Sequence, residues 1–189
     1  PSAPLLSRLG GRRAGDSFTT MCGRYTLSTP GEAVAELLEL ESAPRLAPRY
    51  NIAPTQETAV VRLVGGRRTL SHLRWGLVPY WAADPAVGNR MINARSETAA
   101  DKPAFRAAFR RRRCLVVADG FYEWKGPQGD KQPFYFTLPE GSVFGFAGLW
   151  EAWNGDNASS ETYRSCAIIT TSASRSLSTI HDRMPLILD

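Results

Sequence analysis

The run CLVVADGFYEWK, Cys114–Lys125, sets two short segments rich in β-branched and aromatic residues on either side of Asp119-Gly120. Such side chains suit a pleated, half-buried surface, and an Asp-Gly pair interrupts a regular element, so the run predicts two strands rather than a helix. Downstream, Pro133 to Leu138, Val143 to Trp150 and Tyr163 to Thr171 repeat the pattern between clusters of Gly, Pro, Asp or Asn. Upstream, Glu57 to Val64 and Arg67 to Trp75 read as a hairpin with Gly65-Gly66 as its turn, and Cys22 to Leu27 as a further strand. The proline-bearing stretch Arg45 to Gln56 predicts loop or extended chain. Two short helices complete the reading. One opens at Thr29-Pro30-Gly31-Glu32 with Val34, Leu37 and Leu38 on one face. The other spans Lys102 to Arg112 with Phe105, Ala108 and Phe109 facing inward. Strands outnumber helices, and neither β-α-β alternation nor an internal repeat is present. The expected fold class is α+β: mainly antiparallel sheets curled into a barrel or sandwich, with short helices.

Composition narrows the classes further. Of 189 residues, 43% are hydrophobic and 22% charged, enough apolar material for a core and unlike a disordered or collagenous chain. No apolar run approaches the ~20 residues of a membrane-spanning helix. Cys22, Cys114 and Cys166 form no C-x-x-C pair, and His72 and His181 stand far apart, so neither a disulfide framework, a metal centre nor a cofactor is expected. The formal net charge is +5, and 20 of the 23 basic residues are arginine. Arginine's planar fork suits phosphate, although a genome rich in arginine codons gives the same bias. Basicity alone only tilts the balance toward nucleic acid.

Residues 1–20 differ from the rest: Gly10-Gly11-Arg12-Arg13 and scattered Ser and Thr, with no apolar periodicity and no secretory h-region. They read as a disordered leader, an Arg-rich transit segment or an upstream start, with residues 21–189 as the folded domain and Met21 as its initiator. Removal of Met21 would give Cys22 a free α-amine beside its thiol. With pKa values of ~8 and ~8.5, both groups supply nucleophile near neutral pH. A 1,2-aminothiol condenses with an aldehyde to an imine, and its thiolate then closes a five-membered thiazolidine. The plainer reading of Cys22 is a cysteine that merely packs near the terminus.

Other candidates lie in three segments. Arg90 to Glu97 combines Asn93 with cations in an expected loop. Asp119 to Lys125 sets Glu123 between aromatic residues, where a buried carboxylate serves as general acid or base. Ile180 to Pro185 sets His181 two residues from Arg183. Each also reads blandly: Asn93 as a turn cap, Glu123 as a strand-edge charge, His181 as a satisfied core residue. The tryptophans of Trp75 to Trp81 and of Trp150 to Trp153 are base-stacking candidates beside arginines, or ordinary core. Arg110 to Arg113 are phosphate contacts or complements to a helix dipole.

Together MCGRYTL, PRYNIAPTQ, RWGLVPYWA, MINARSET, DGFYEW and IHDRMPLIL resemble the SRAP family of SOS response-associated peptidases, or abasic-site processing proteins, over Met21 to Asp189. The resemblance implies a sensor of abasic sites in single-stranded DNA whose N-terminal cysteine crosslinks to the ring-opened deoxyribose. It implies Cys22 as nucleophile and Asn93 as holder of the sugar or the cysteine amine. Glu123 would shuttle protons during ring opening and imine formation, and His181 would assist ring opening and crosslink reversal. Arg24, Arg95 and Arg183 would pair with phosphates, Asn51 and Pro54 would line the site, and Trp75 would stack on a base. Two departures follow from the same comparison. The family needs its cysteine first, so residues 1–20 must be absent or removed, and self-processing is one route. The family also usually continues past the point matched by Asp189, so a C-terminal piece of the fold is expected beyond it.

Three other readings compete. A class II glutamine amidotransferase also uses the amine of an N-terminal cysteine as base for its thiol, but gives DGFYEW and IHDRMP no role. A non-catalytic single-strand binder would ignore both Cys22 and the lesion. A thiol peptidase would pair Cys22 with His181. The remaining expectations are a monomer with no membrane association, in the cytoplasm on or near the nucleoid.

Overall fold

Gly65 and Gly66 turn β3 (Glu57–Val64) directly into β4 (Arg67–Trp75): Val64 pairs with Arg67, and the ladder runs unbroken to Glu57 opposite Arg74. Both glycines have positive φ, 58° and 81°, as a two-residue type I′ turn requires. The structure is a computed structural model that describes residues 23–127, 130–155 and 162–188. On the far side of β3 lies β6 (Arg113–Ala118), then β9 (Phe144–Trp153), then β10 (Tyr163–Ser172), each pair antiparallel. β10 meets β4 again through two parallel pairs, Ser165 with Arg74 and Cys166 with Trp75. β4, β3, β6, β9 and β10 therefore close into a ring. With so short a parallel contact, the ring is open-cornered rather than a regular barrel.

A second parallel contact joins β5 (Asn93–Arg95) to β10, so the larger sheet is mixed while its pairing stays mainly antiparallel, as the sequence pointed to. β5 also replaces part of an expected loop. β11 (Arg183–Pro185) and β12 (Ile187–Leu188) extend β10 and β9 outward. The smaller sheet is wholly antiparallel, in the order β2 (Arg49–Ile52), β1 (Arg24–Leu27), β7 (Gly120–Lys125), β8 (Gln132–Phe136). β2 is thus a strand inside the proline-bearing stretch. Of the two helices, α1 (Gly31–Leu37) buries Val34 and is followed by buried Leu38, while Leu37 stays 48% exposed at the edge of that face. α2 (Arg106–Arg111) follows buried Phe105 and seats Ala108 in a cluster with Leu149 and Ile169.

The chain passes from ring to smaller sheet at one residue, Asp119, between β6 and β7. Its N–H donates to the Thr26 carbonyl at 3.0 Å. Its carboxylate accepts from the Thr26 hydroxyl, from the Ser28 N–H and hydroxyl, and from the Thr29 N–H and hydroxyl. Burial alone would raise the Asp119 pKa, but these donors outweigh it and hold the carboxyl below its ordinary range. The two sheets then close on a shared aromatic core. Tyr25 meets Trp75 at 5.2 Å and Phe146 at 5.7 Å, both edge to face, an arrangement that adds specific ring attraction to simple burial. Among the described residues no helix is long and apolar enough to cross a membrane.

Candidate active site

The candidate residues fall on two supports. On the smaller sheet, Arg24 opens β1 opposite Tyr122 of β7, so antiparallel pairing brings the start of β1 beside the end of β7 that carries Glu123. Glu123 is only 2% exposed. Gly23, the first described residue, leads straight into this corner; Met21 and Cys22 lie outside the described residues. Arg24 donates from Nη1 to Asn51 Oδ1 at 3.0 Å, which orients its guanidinium along the exposed rim of β2. Pro54, half-buried, sits in the turn that joins β2 to β3, where the Thr55 N–H donates to the Trp75 carbonyl at 2.8 Å.

The other support is the C-terminal half of β10. Asn93 pairs with Ile168 and Arg95 with Thr170 on one side, while Arg183 pairs with Ser172 on the other. Side chains alternate along a strand, so buried Ala94 anchors β5 and turns Asn93 and Arg95 to the opposite face. Arg183 grips both oxygens of Glu97 at 3.0 and 2.9 Å and the Thr170 carbonyl at 2.7 Å. The Arg183 hydrogen bond, first of several causes, brings the Glu97 carboxyl down to about 2. Arg183 is therefore committed to a carboxylate, and a phosphate reaching it must displace or join Glu97. Arg95 is exposed. His181 Nδ1 accepts the Arg183 N–H at 3.1 Å and lies 2.8 Å from Asp182 Oδ1. The amide needs a bare Nδ1 and the carboxylate a protonated one, so the two partners favour opposite tautomers.

Trp75 joins the supports, and here the structure corrects the sequence reading. Its side chain is 0% exposed, its indole N–H donates to the Ile92 carbonyl at 2.9 Å, and its ring abuts Tyr25. No ring face is left for a base. Trp75 is instead the post between β1 and the strand of Asn93. Glu97 and Asp119 are further partners, of Arg183 and of the Thr26–Thr29 segment, that residue order alone does not reveal. Both stood inside quoted motifs, but their counterparts lie 86 and about 90 residues away, a pairing no local pattern displays. Cys114 and Cys166 are buried in the ring, and burial pushes the Cys114 thiol up to about 12 and the Cys166 thiol well up. Neither is a nucleophile as folded. Among the described residues no cluster of three or more His, Cys, Asp or Glu side chains is placed to hold a metal.

The sequence model of the family described as SOS response associated peptidase (SRAP) matches residues 21–189. The abasic site processing protein YoqW of Bacillus subtilis (strain 168) is 40% identical over 173 residues, covering 89% of this chain and 76% of that protein. The abasic site processing protein HMCES of Xenopus tropicalis is 33% identical over 171 residues, covering 75% of this chain and 51% of its own length. Two crystal structures share the fold. A protein from Bacteroides thetaiotaomicron superposes with a TM-score of 0.77 at 24% identity, over 89% of this chain and 77% of its own. One from Bordetella bronchiseptica does so with a TM-score of 0.74 at 26% identity, over 89% and 84%.

Proposed function

This chain belongs to the SRAP family, and on that premise we propose that it processes abasic sites in single-stranded DNA by bonding to them covalently through Cys22. The observation that carries the reading is the corner of the smaller sheet, where the chain arriving from Cys22 enters β1 beside the buried Glu123. An abasic deoxyribose opens to a C1′ aldehyde. The Cys22 α-amine adds to that carbon, water leaves, and an imine forms. The Cys22 thiolate then adds to the same carbon, the imine nitrogen takes up a proton, and a thiazolidine closes. Glu123 moves protons in ring opening and in the loss of water, steps in which a positioned acid–base group contributes about 10²- to 10⁴-fold. His181, with two tautomers within reach, assists ring opening and the reversal of the crosslink. Asn93 holds the sugar or the Cys22 amine.

Arg24 and Arg95 take the neighbouring phosphates, and Arg183 does so in exchange with Glu97. Asn51 and Pro54 border the strand. A lesion in single-stranded DNA is already unstacked, so little flipping cost remains. The same aminothiol would be produced if the protein hydrolysed its own Met21–Cys22 peptide bond, a peptidase action that frees the Cys22 amine. The test is incubation with an abasic single-stranded oligonucleotide. Protein whose intact mass begins at Cys22 is expected to give a heat-stable adduct on a denaturing gel. Cys22→Ala abolishes it, and Glu123→Gln slows its formation about 100-fold or more. No adduct from protein with a verified Cys22 amine overturns the proposal.

A further inference from the structure

One row of side chains crosses the outer face of the smaller sheet. Arg24 of β1 stands opposite Tyr122 of β7, and Tyr122 opposite Tyr135 of β8. Directly paired residues share a face, and residues two apart along a strand share it too, so Trp124 and Gly120 belong to the same surface. The Tyr122 and Tyr135 rings lie 4.8 Å apart at 38°, and the Tyr122 and Trp124 rings 6.3 Å apart at 37°.

Tyr135 is 50% exposed, yet it is held in place. Its hydroxyl shares a 2.8 Å hydrogen bond with Thr26 Oγ1, which in turn donates to Asp119. Its ring lies over Gly120, where an added Cβ would stand 2.2 to 2.6 Å from the ring and hydroxyl. Glycine at 120 therefore makes room for the ring to lie flat on the sheet, and the buried Asp119 network fixes its far end. Half of a large aromatic surface is thereby fixed facing water. Rigid rings, open at Tyr135 and half-buried at Tyr122 and Trp124, in line with a guanidinium suit a ligand in which flat aromatic groups and anions alternate along a chain.

We infer that this face is a stacking platform for unpaired nucleobases, with Tyr122, Trp124 and Tyr135 carrying bases of the strand whose phosphate Arg24 meets. The inference rests on the single-stranded DNA reading above and adds the surface that grips the strand away from the lesion. It also gives affinity without sequence preference, because every base offers a flat face.

The test uses the whole protein and an undamaged single-stranded oligonucleotide carrying 2-aminopurine, whose fluorescence stacking quenches. Wild-type protein is expected to quench the probe. Tyr122→Ala and Trp124→Ala should each weaken binding about 5- to 100-fold, with the salt dependence unchanged because no phosphate contact is lost. Tyr122→Phe, which keeps the ring, should bind as wild type does. A probe left bright on bound wild-type protein overturns the platform. So does a Tyr122→Ala protein that melts like wild type and binds as tightly. An abasic oligonucleotide run in parallel separates the two readings: an adduct without quenching removes the platform alone, and quenching without an adduct removes the covalent chemistry alone.

Discussion

Arg183 and Glu97 meet as a fork on a fork, two hydrogen bonds of 3.0 and 2.9 Å from one guanidinium to one carboxylate, at the end of β10 where His181 and Arg95 also gather. Bidentate geometry is what distinguishes such a pair from an ordinary surface contact. Because the Glu97 value is depressed, its contribution to stability is present above the unfolded carboxylate range of about 4.3. It is lost as pH falls toward the folded value of about 2. In a carboxyl NMR titration Glu97 is expected to titrate near 2, and in Arg183→Ala to return to about 4.3. An unchanged Glu97 titration in that variant would show that Arg183 is not its partner.

Asp119 is expected to matter more to folding than its size suggests. Asp119→Ala strands a buried donor on Thr26 and half-buried donors on Ser28 and Thr29 and should cost about 2–4 kcal/mol by urea unfolding. Its carboxyl is held below the ordinary range, so this stabilisation is complete above about 3.9 and fades as pH drops through the folded value. A variant that loses stability by the same amount at pH 7 and pH 2.5 would contradict this.

Trp75→Phe keeps an aromatic ring in the core but leaves the Ile92 carbonyl without the indole N–H. A loss of about 1–3 kcal/mol is expected. Should DNA affinity fall in this variant while its unfolding midpoint stays put, Trp75 would be a base contact after all.

Cys114 and Cys166 are shielded, with the Cys114 thiol near 12. Iodoacetamide at pH 7.5 is expected to add a single carbamidomethyl group to the native protein, at Cys22, and three after denaturation. Two or more adducts on native protein would mean that the ring opens readily.

What the sequence displayed depended on the range of the interaction. The β3–β4 hairpin was legible because Gly65-Gly66 and the flanking strands are local. The strand pair around Asp119 was legible for the same reason. β2 and β5 were not legible as strands, because their pairing is imposed by distant partners: Ile52 by Tyr25, and Asn93 by Ile168 at a separation of 75 positions. At the candidate site, residue types and motif order pointed to Asn93, Glu123, Arg24 and Arg95. The burial of Trp75 and the tie between Arg183 and Glu97 emerge only when distant strands meet. Cys22, on which the proposed chemistry depends, lies outside the described residues.

The outer strands have a consequence of their own. β2 has four residues and is bracketed by Pro48 and Pro54, β8 contains Pro133, β11 ends at Pro185, and β12 has two residues. A proline brings no N–H to a ladder, and a strand this short offers little template. Each end of both sheets is thereby blunted against annealing with a neighbouring chain. Copies brought to high local concentration can sit side by side without strand-to-strand annealing.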